Sequence, residues 1–159
     1  MTIRIICIGR LKERFLQDAQ AEFLKRLSRF ATVEVLELPD EKAPEQLSST
    51  QKDLIKRKEG ERILSKVTDG DHLIATVIDG AGFTSEQFSK KLSDCMLNGK
   101  SRIAFAIGGS LGLSFEVISR ADILISFSPM TFTHQLFRIM LLEQIYRAFK
   151  IMNNEPYHK

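Results

Sequence analysis

A chain of 159 residues with 43% hydrophobic positions can fill one core but hardly two, so a single domain over 1–159 is expected. The formal charge of +3, from 23 basic and 20 acidic residues, is too small to announce a polyanion binder by itself. Cys7 and Cys95 show no C-x-x-C spacing and no His nearby in sequence, which argues against a disulfide framework and against a metal site and leaves two buried free thiols as the expectation.

In chain order, short β-branched runs alternate with longer amphipathic ones, the signature of an α/β fold. The opening "MTIRIICIGR" is interrupted by Arg4 and is too short for a secretory signal or a membrane span, so a soluble cytoplasmic protein with no membrane association is expected. Its apolar part, 3–8, reads as the first strand. A helix over about 13–30 follows, with Phe15, Ala19, Phe23, Leu24 and Leu27 spaced as a core-facing stripe. After a second strand at 33–38, the polar segment 39–50 with its two prolines reads as a surface loop. Residues 52–66 carry six Lys or Arg against three Asp or Glu, the mixture of a solvated helix face. A third strand, 73–78, leads to a helix that opens on the capping-box pattern Thr84-x-x-Gln87 and ends near Gly99. The fourth strand, 103–107, is the continuous apolar run "IAFAI", as expected where helices cover both faces of a mainly parallel sheet. The fifth is 123–127, and a last helix spans about 133–152.

Three segments invite a chemical reading. The fourth strand runs directly into "IGGSLGLS", placing Gly108, Gly109 and Gly112 where ligands of open α/β sheets collect. The spacing fits neither G-x-G-x-x-G nor a P-loop, and a structural turn explains the glycines about as well. If the glycines do floor a pocket, a side chain at Gly108 would occupy the ligand's place. The last helix is apolar at twelve of twenty positions and therefore on every side, which suggests a partner subunit, with a fully enclosed core helix as the rival. His134, Arg138, Glu143 and Arg147 sit among these apolar residues, and Glu143 and Arg147 have the i,i+4 spacing of an ion pair. Arg147 is otherwise a candidate to face a polyanion. The tail "NNEPYHK" reads either as a frayed end or as a clamp in which Tyr157 and His158 meet a base and Lys159 a phosphate.

"FAIGGSLGL", "SFSPMTFTHQLFRIMLLEQIYRAFKI" and the terminal "PYHK", together with "GRLKERF" near the start and "ELPDEKAPE" after the second strand, resemble the SPOUT-class RNA methyltransferases. The likeness is to the RlmH group, which methylates N3 of a pseudouridine in 23S (large-subunit) ribosomal RNA. It covers nearly the whole chain. The resemblance implies a mainly parallel α/β sheet flanked by helices with a C-terminal trefoil knot, and S-adenosylmethionine as methyl donor without a metal. It implies a cofactor site at Thr76, at Gly108 and along Phe127, Ser128, Pro129, Met130, Thr131 and Phe132. The chain departs from the pattern at Pro129, Thr133 and Thr76, where Lys, Pro and Leu are usual. It further implies a homodimer that acts on ribosomal RNA within the assembled ribosome. For catalysis, methyl transfer to a pseudouridine needs its imino proton removed. An imidazole titrates near neutrality, so His158 is the candidate base. Arg147 would favour the anionic base, Tyr157 would orient it and Lys159 the RNA backbone. A non-catalytic ribosome-binding assembly factor, or a nucleotide-binding protein using the glycine loop, are the competing functions.

Overall fold

The structure, a computed structural model, describes residues 1–158; Lys159 lies outside the described residues. Five strands, β1 (Thr2–Ile8), β2 (Thr32–Leu38), β3 (His72–Gly82), β4 (Arg102–Ile107) and β5 (Ile123–Ser126), form one all-parallel sheet in the order β2-β1-β4-β3-β5. The helices α1 (Arg14–Leu27), α2 (Ser49–Leu64), α3 (Ser85–Leu97), α4 (Phe115–Arg120) and α5 (His134–Met152) connect and follow them.

Strand periodicity distributes the core. In β1, Ile3, Ile5 and Cys7 face one layer and Ile6 and Ile8 the other; in β4, Ile103, Phe105 and Ile107 alternate with Ala104 and Ala106 in the same way. The first layer packs under α1, α3 and α5, and the second under α2 and α4 through Ile63 and Val117. Small Ala side chains on the second face let α2 and α4 lie close to the sheet. Both thiols are buried and free, and burial pushes Cys7 up to about 11 against the pull of the Arg138 guanidinium.

Several boundaries differ from the sequence expectation for identifiable reasons. α1 begins at Arg14, so Phe15 lies in its first turn and is 67% exposed, while Leu16 turns inward; Phe15 does not belong to the core stripe. α2 starts inside the expected loop because Ser48 and Gln51 form a second capping box. Its cations do lie on a solvated face, in loose ion pairs such as Lys56 with Asp53 and Arg57 with Glu116, each at 3.5 Å. Glu59 on the same helix is buried instead, accepting the Glu41 N–H at 3.0 Å. α4, six residues long, is too short to leave a periodic signature.

α5 lies on the sheet between α1 and α3, and this accounts for its apolar composition within the chain. Leu141, Leu142, Ile145, Tyr146, Ala148 and Phe149 are buried, and Leu136 alone among the large hydrophobics of α5 is exposed, at 43%. The buried positions of α5 thus need no partner subunit, while Leu136, Ile139 and Met140 remain outside the buried set.

Candidate active site

β3 sends the chain into α3 on one face of the sheet, while its neighbour β4 sends it into α4 on the other. Such opposed crossovers part the loops beyond the strand ends and leave a crevice. A cleft of about 870 Å³ occupies that place, lined by Thr76, Val77 and Ile78 from β3, by 107–113 after β4, and by 126–128 and 130–135 after β5. β3 widens it. Its pairing with β5 lapses after Thr76 and resumes at Ala81, both opposite Ile125, so residues 77–80 swell outward.

The glycine segment is a tight turn closed by a bridge between Gly109 and Gly112, with the Gly112 N–H donating to Gly109 O at 3.1 Å and Gly112 at φ +85°. At Gly108 the structure corrects the expected reason for glycine. A Cβ there would stand 2.6 Å from the Gly112 carbonyl carbon and 2.9 Å from the Leu113 nitrogen, so it would strike the turn's own backbone rather than enter the ligand's space. Gly108→Val is accordingly expected to cost about 1–3 kcal/mol of stability as an overpacked site and to reshape the cleft floor. Urea unfolding alongside cofactor calorimetry checks this; a variant with native stability and lost binding would restore the direct-clash account.

The loop after β5 is organised by its own hydroxyls. Ser126 donates to the Ser128 carbonyl at 3.2 Å, and the Met130 N–H donates to Ser128 Oγ at 3.0 Å. Phe127 packs on Phe137 of α5 with ring centroids 4.7 Å apart, which ties the loop to the helix. Thr133 caps that helix by accepting the Leu136 N–H at 3.3 Å, a role its hydroxyl can fill and proline cannot. Of the sequence-predicted cofactor residues, Thr76, Gly108, Phe127, Ser128, Met130, Thr131 and Phe132 line the cleft together, and Pro129 does not. The Thr76 hydroxyl donates to Ala106 O at 2.9 Å, so its proton is already committed within the sheet.

Two residues of α5 gain roles that the sequence reading left blank. Arg138, fully buried, donates to Glu37 at 2.5 Å, to the Gly9 carbonyl at 2.8 Å and to Gln20 at 3.4 Å. One turn earlier, His134 lines the cleft and covers Gly9, whose φ of +85° and approach to the ring leave no room for a Cβ, 2.9 Å from His134 Nε2. Burial and then the Arg138 charge lower the His134 imidazole from its ordinary value, which favours its neutral form. The i,i+4 spacing of a His and an Arg within an apolar helix was the available signal.

The tail is folded back on α5. Asn154, at φ 52°, reverses the chain, and Glu155 pairs with Arg29 at 2.8 Å and with Lys150. Tyr157 meets Tyr146 edge-on at 4.9 Å, lies under the Arg147 guanidinium at 4.7 Å and donates to Glu143 at 3.1 Å. Arg147 forms the expected helical pair with Glu143 and turns Nη1 toward His158 Nδ1 at 3.4 Å. His158 Nε2 lies 2.7 Å from Glu86. The partners fit the tautomer protonated on Nε2, with Nδ1 accepting from Arg147. Glu86 is held down to about 2 by the backbone N–H groups at the start of α3, by Thr84 and by His158, so it is ionised at any working pH. Glu143 also lines a second, mostly apolar cavity of about 450 Å³ that shares Ser126 and Phe127 with the cleft. Tyr157, through Glu143, thus lies beside a cavity that shares Ser126 and Phe127 with the cleft lined by most of the predicted cofactor residues.

Among the described residues no group of three or more His, Cys, Asp or Glu is placed to hold a metal ion, and no helix is long and apolar enough to cross a membrane.

Residues 1–158 match the family described as "Predicted SPOUT methyltransferase". The chain is 57% identical over 159 residues to the Ribosomal RNA large subunit methyltransferase H 1 of Clostridium perfringens (strain SM101 / Type A), and 59% identical over 160 residues to the Ribosomal RNA large subunit methyltransferase H of Bacillus cytotoxicus, covering 100% of both chains in each case. A solved probable methylase family protein from Haemophilus influenzae Rd KW20 shares the fold, with a TM-score of 0.55 at 15% identity over 99% of this chain and 70% of that one.

Proposed function

The chain belongs to the SPOUT methyltransferase family and, within it, to the RlmH group; from that premise we propose that it transfers a methyl group from S-adenosylmethionine to N3 of a pseudouridine in large-subunit ribosomal RNA, on the assembled ribosome. The observation that carries this is the pairing of an uncharged cleft with a polar tail gathered beside the adjoining cavity. Among the described residues no Asp, Glu, Lys or Arg lines the cleft. Its glycine turn, the amides of the loop after β5 and its Ile, Leu and Phe side chains suit an adenine and a sulfonium, and no cation there would repel the latter. When bound, S-adenosylmethionine supplies an activated methyl, so the chain's own work is to orient the acceptor and dispose of its proton. Thr76 and Gly108 would contribute main-chain contacts, and the 127–132 loop would wrap the donor, threaded as a trefoil knot. His158 would take the imino proton, Arg147 would favour the resulting anion from a position fixed by Glu143 and the Tyr157 ring, and Tyr157 would orient the base. Lys159 would meet the RNA backbone.

A cytoplasmic homodimer is part of the same proposal, with Leu136, Ile139 and Met140 of α5 as the apolar strip that a second copy would cover. The test is incubation with labelled S-adenosylmethionine and either ribosomes or free ribosomal RNA from a strain lacking the modification. Label is expected in one pseudouridine of the large subunit, on ribosomes in preference to free RNA. Cofactor binding without transfer to either substrate would favour the non-catalytic assembly factor.

A further inference from the structure

The loop between β1 and α1 is built with a rigidity that the fold alone does not require. Gly9 turns it beneath His134. Leu11, 6% exposed, anchors it in the core; the Leu11 N–H donates to Glu37 at 3.2 Å, Gln17 donates to the Leu11 carbonyl at 2.9 Å, and the Lys12 N–H donates to Gln135 at 2.8 Å. His134 and Gln135 line the cleft, so this pinned backbone adjoins its rim through them, although no residue of the loop is among those lining the cleft. It presents Arg10, Lys12 and Phe15 outward.

Exposed cations in no ion pair among the described residues occur elsewhere too, as at Lys25, Lys52 and Lys100, but here two of them stand close in sequence to an exposed aromatic ring, on a loop tied to residues of the cleft. Arg10 and Lys12 are exposed, and neither takes part in an ion pair among the described residues. The neighbouring Arg14 is bound to Asp18 at 2.9 Å, and most cations of α2 have carboxylate neighbours. Glu13 is the acid within the loop, leaving it net positive. Phe15, 67% exposed beside them, packs in neither core layer. Free cations next to a bare aromatic ring are the elements of a single-stranded nucleic-acid platform: phosphates meet the cations and a base stacks on the ring. α5, where a second copy is proposed to sit, already has its own apolar strip.

We propose that the β1–α1 loop is an RNA-gripping lip beside the cofactor cleft, in which Arg10 and Lys12 hold phosphates of the strand flanking the target nucleotide and Phe15 stacks on one of its bases. This rests on the reading of the chain as an RNA methyltransferase. A lip gripping the flanking strand would fix the approach of the target base to the cleft, so its loss should fall on KM for RNA while leaving cofactor affinity alone.

The test compares the full-length protein with Arg10→Glu/Lys12→Glu and with Phe15→Ala and Phe15→Tyr. Binding to a short labelled single-stranded RNA is followed by anisotropy across a salt series, with ribosome methylation, cofactor calorimetry and solution mass in parallel. The charge reversal should raise KM by about tenfold or more and lower the salt slope by about 1.4, the share of two phosphates on a single strand. Phe15→Ala should weaken RNA binding by about fivefold or more, and Phe15→Tyr should restore it, since either ring offers a face for stacking. Unchanged KM and salt slope in the charge reversal, with wild-type protein active in the same assay, would overturn the lip alone. Wild-type protein that neither binds the RNA nor methylates ribosomes would overturn the RNA reading and the lip together. A change of solution mass in Phe15→Ala would assign the ring to a subunit contact and overturn its stacking role.

Discussion

Deleting residues 157–159 is expected to lower methyl transfer by about 10²–10⁴-fold, the loss typical of a positioned general base, while cofactor affinity stays within about a factor of two to three of wild type, the scatter common between contexts. The two effects separate because, among the described residues, no tail residue lines the cleft, whereas Tyr157 and His158 are gathered beside the adjoining cavity through Glu143, Arg147 and Glu86. His158→Ala should reproduce most of the loss. The hydrogen bonds suggest how the ring would work: the contact from Arg147 to Nδ1, at 3.4 Å, is the longer of its two and the easier to give up, while Nε2 stays on Glu86 at 2.7 Å. An imidazole held by a carboxylate on one nitrogen and open on the other has the arrangement of an oriented general base. Glu86→Gln should therefore slow turnover less than His158→Ala, since an amide oxygen can still hold the ring. Lys159→Ala should act differently, weakening RNA binding with the salt dependence of a single phosphate contact. A truncated protein that methylates ribosomes at the full-length rate would remove all three tail residues from the chemistry and leave the methyltransferase reading intact.

How much of this could be read without coordinates depended on where local physics was decisive. The strands were legible because "IAFAI" and its counterparts are apolar runs that only a doubly covered sheet explains, and the glycines after Ile107 marked the right end of that sheet. The continuation of β3 to Gly82 was hidden, since "DGAG" carries turn residues and its renewed pairing with β5 is a long-range event. Phe15 was misplaced because a period of 3.6 cannot say where a helix begins, and a start at Arg14 turns Leu16 into the core and Phe15 out to solvent. The all-round apolar α5 was ambiguous in principle: the same composition serves a helix wedged between two others and one covered by a partner, and only the positions of α1 and α3 decide. A knotted threading, which the family resemblance implies, would leave no trace in periodicity at all. The tail's order was hidden for a related reason. Its seven residues have the composition of a frayed end, and its anchors, Arg29 and Glu86, lie far away in sequence.

Glu37→Ala is expected to destabilise the fold by about 3–5 kcal/mol, the cost of stranding one member of a buried ion pair, and to do so more severely than removal of its partner. The asymmetry follows from where each charge sits. The Arg138 side chain is 0% exposed, whereas the Glu37 side chain is 31% exposed. Without Glu37 the guanidinium keeps only the Gly9 carbonyl and the long contact to Gln20 in a site that water does not reach, and its Nε already lacks a partner. The Leu11 N–H also loses its acceptor, so the β1–α1 loop loosens with the core. Arg138→Met leaves a carboxylate that can turn to solvent and a Gly9 carbonyl without its donor, while the thioether fills much of the vacated volume. That change should cost about 1–3 kcal/mol, the range for one unsatisfied buried group. In the double variant the stranded charge is gone, so its loss should be smaller than the sum of the two single losses, a coupling that a double-mutant cycle reads directly. Urea midpoints at constant slope supply all three numbers. If Arg138→Met proved as damaging as Glu37→Ala, the pair would matter through the packing of the arginine stem, and the account based on a stranded charge would be wrong.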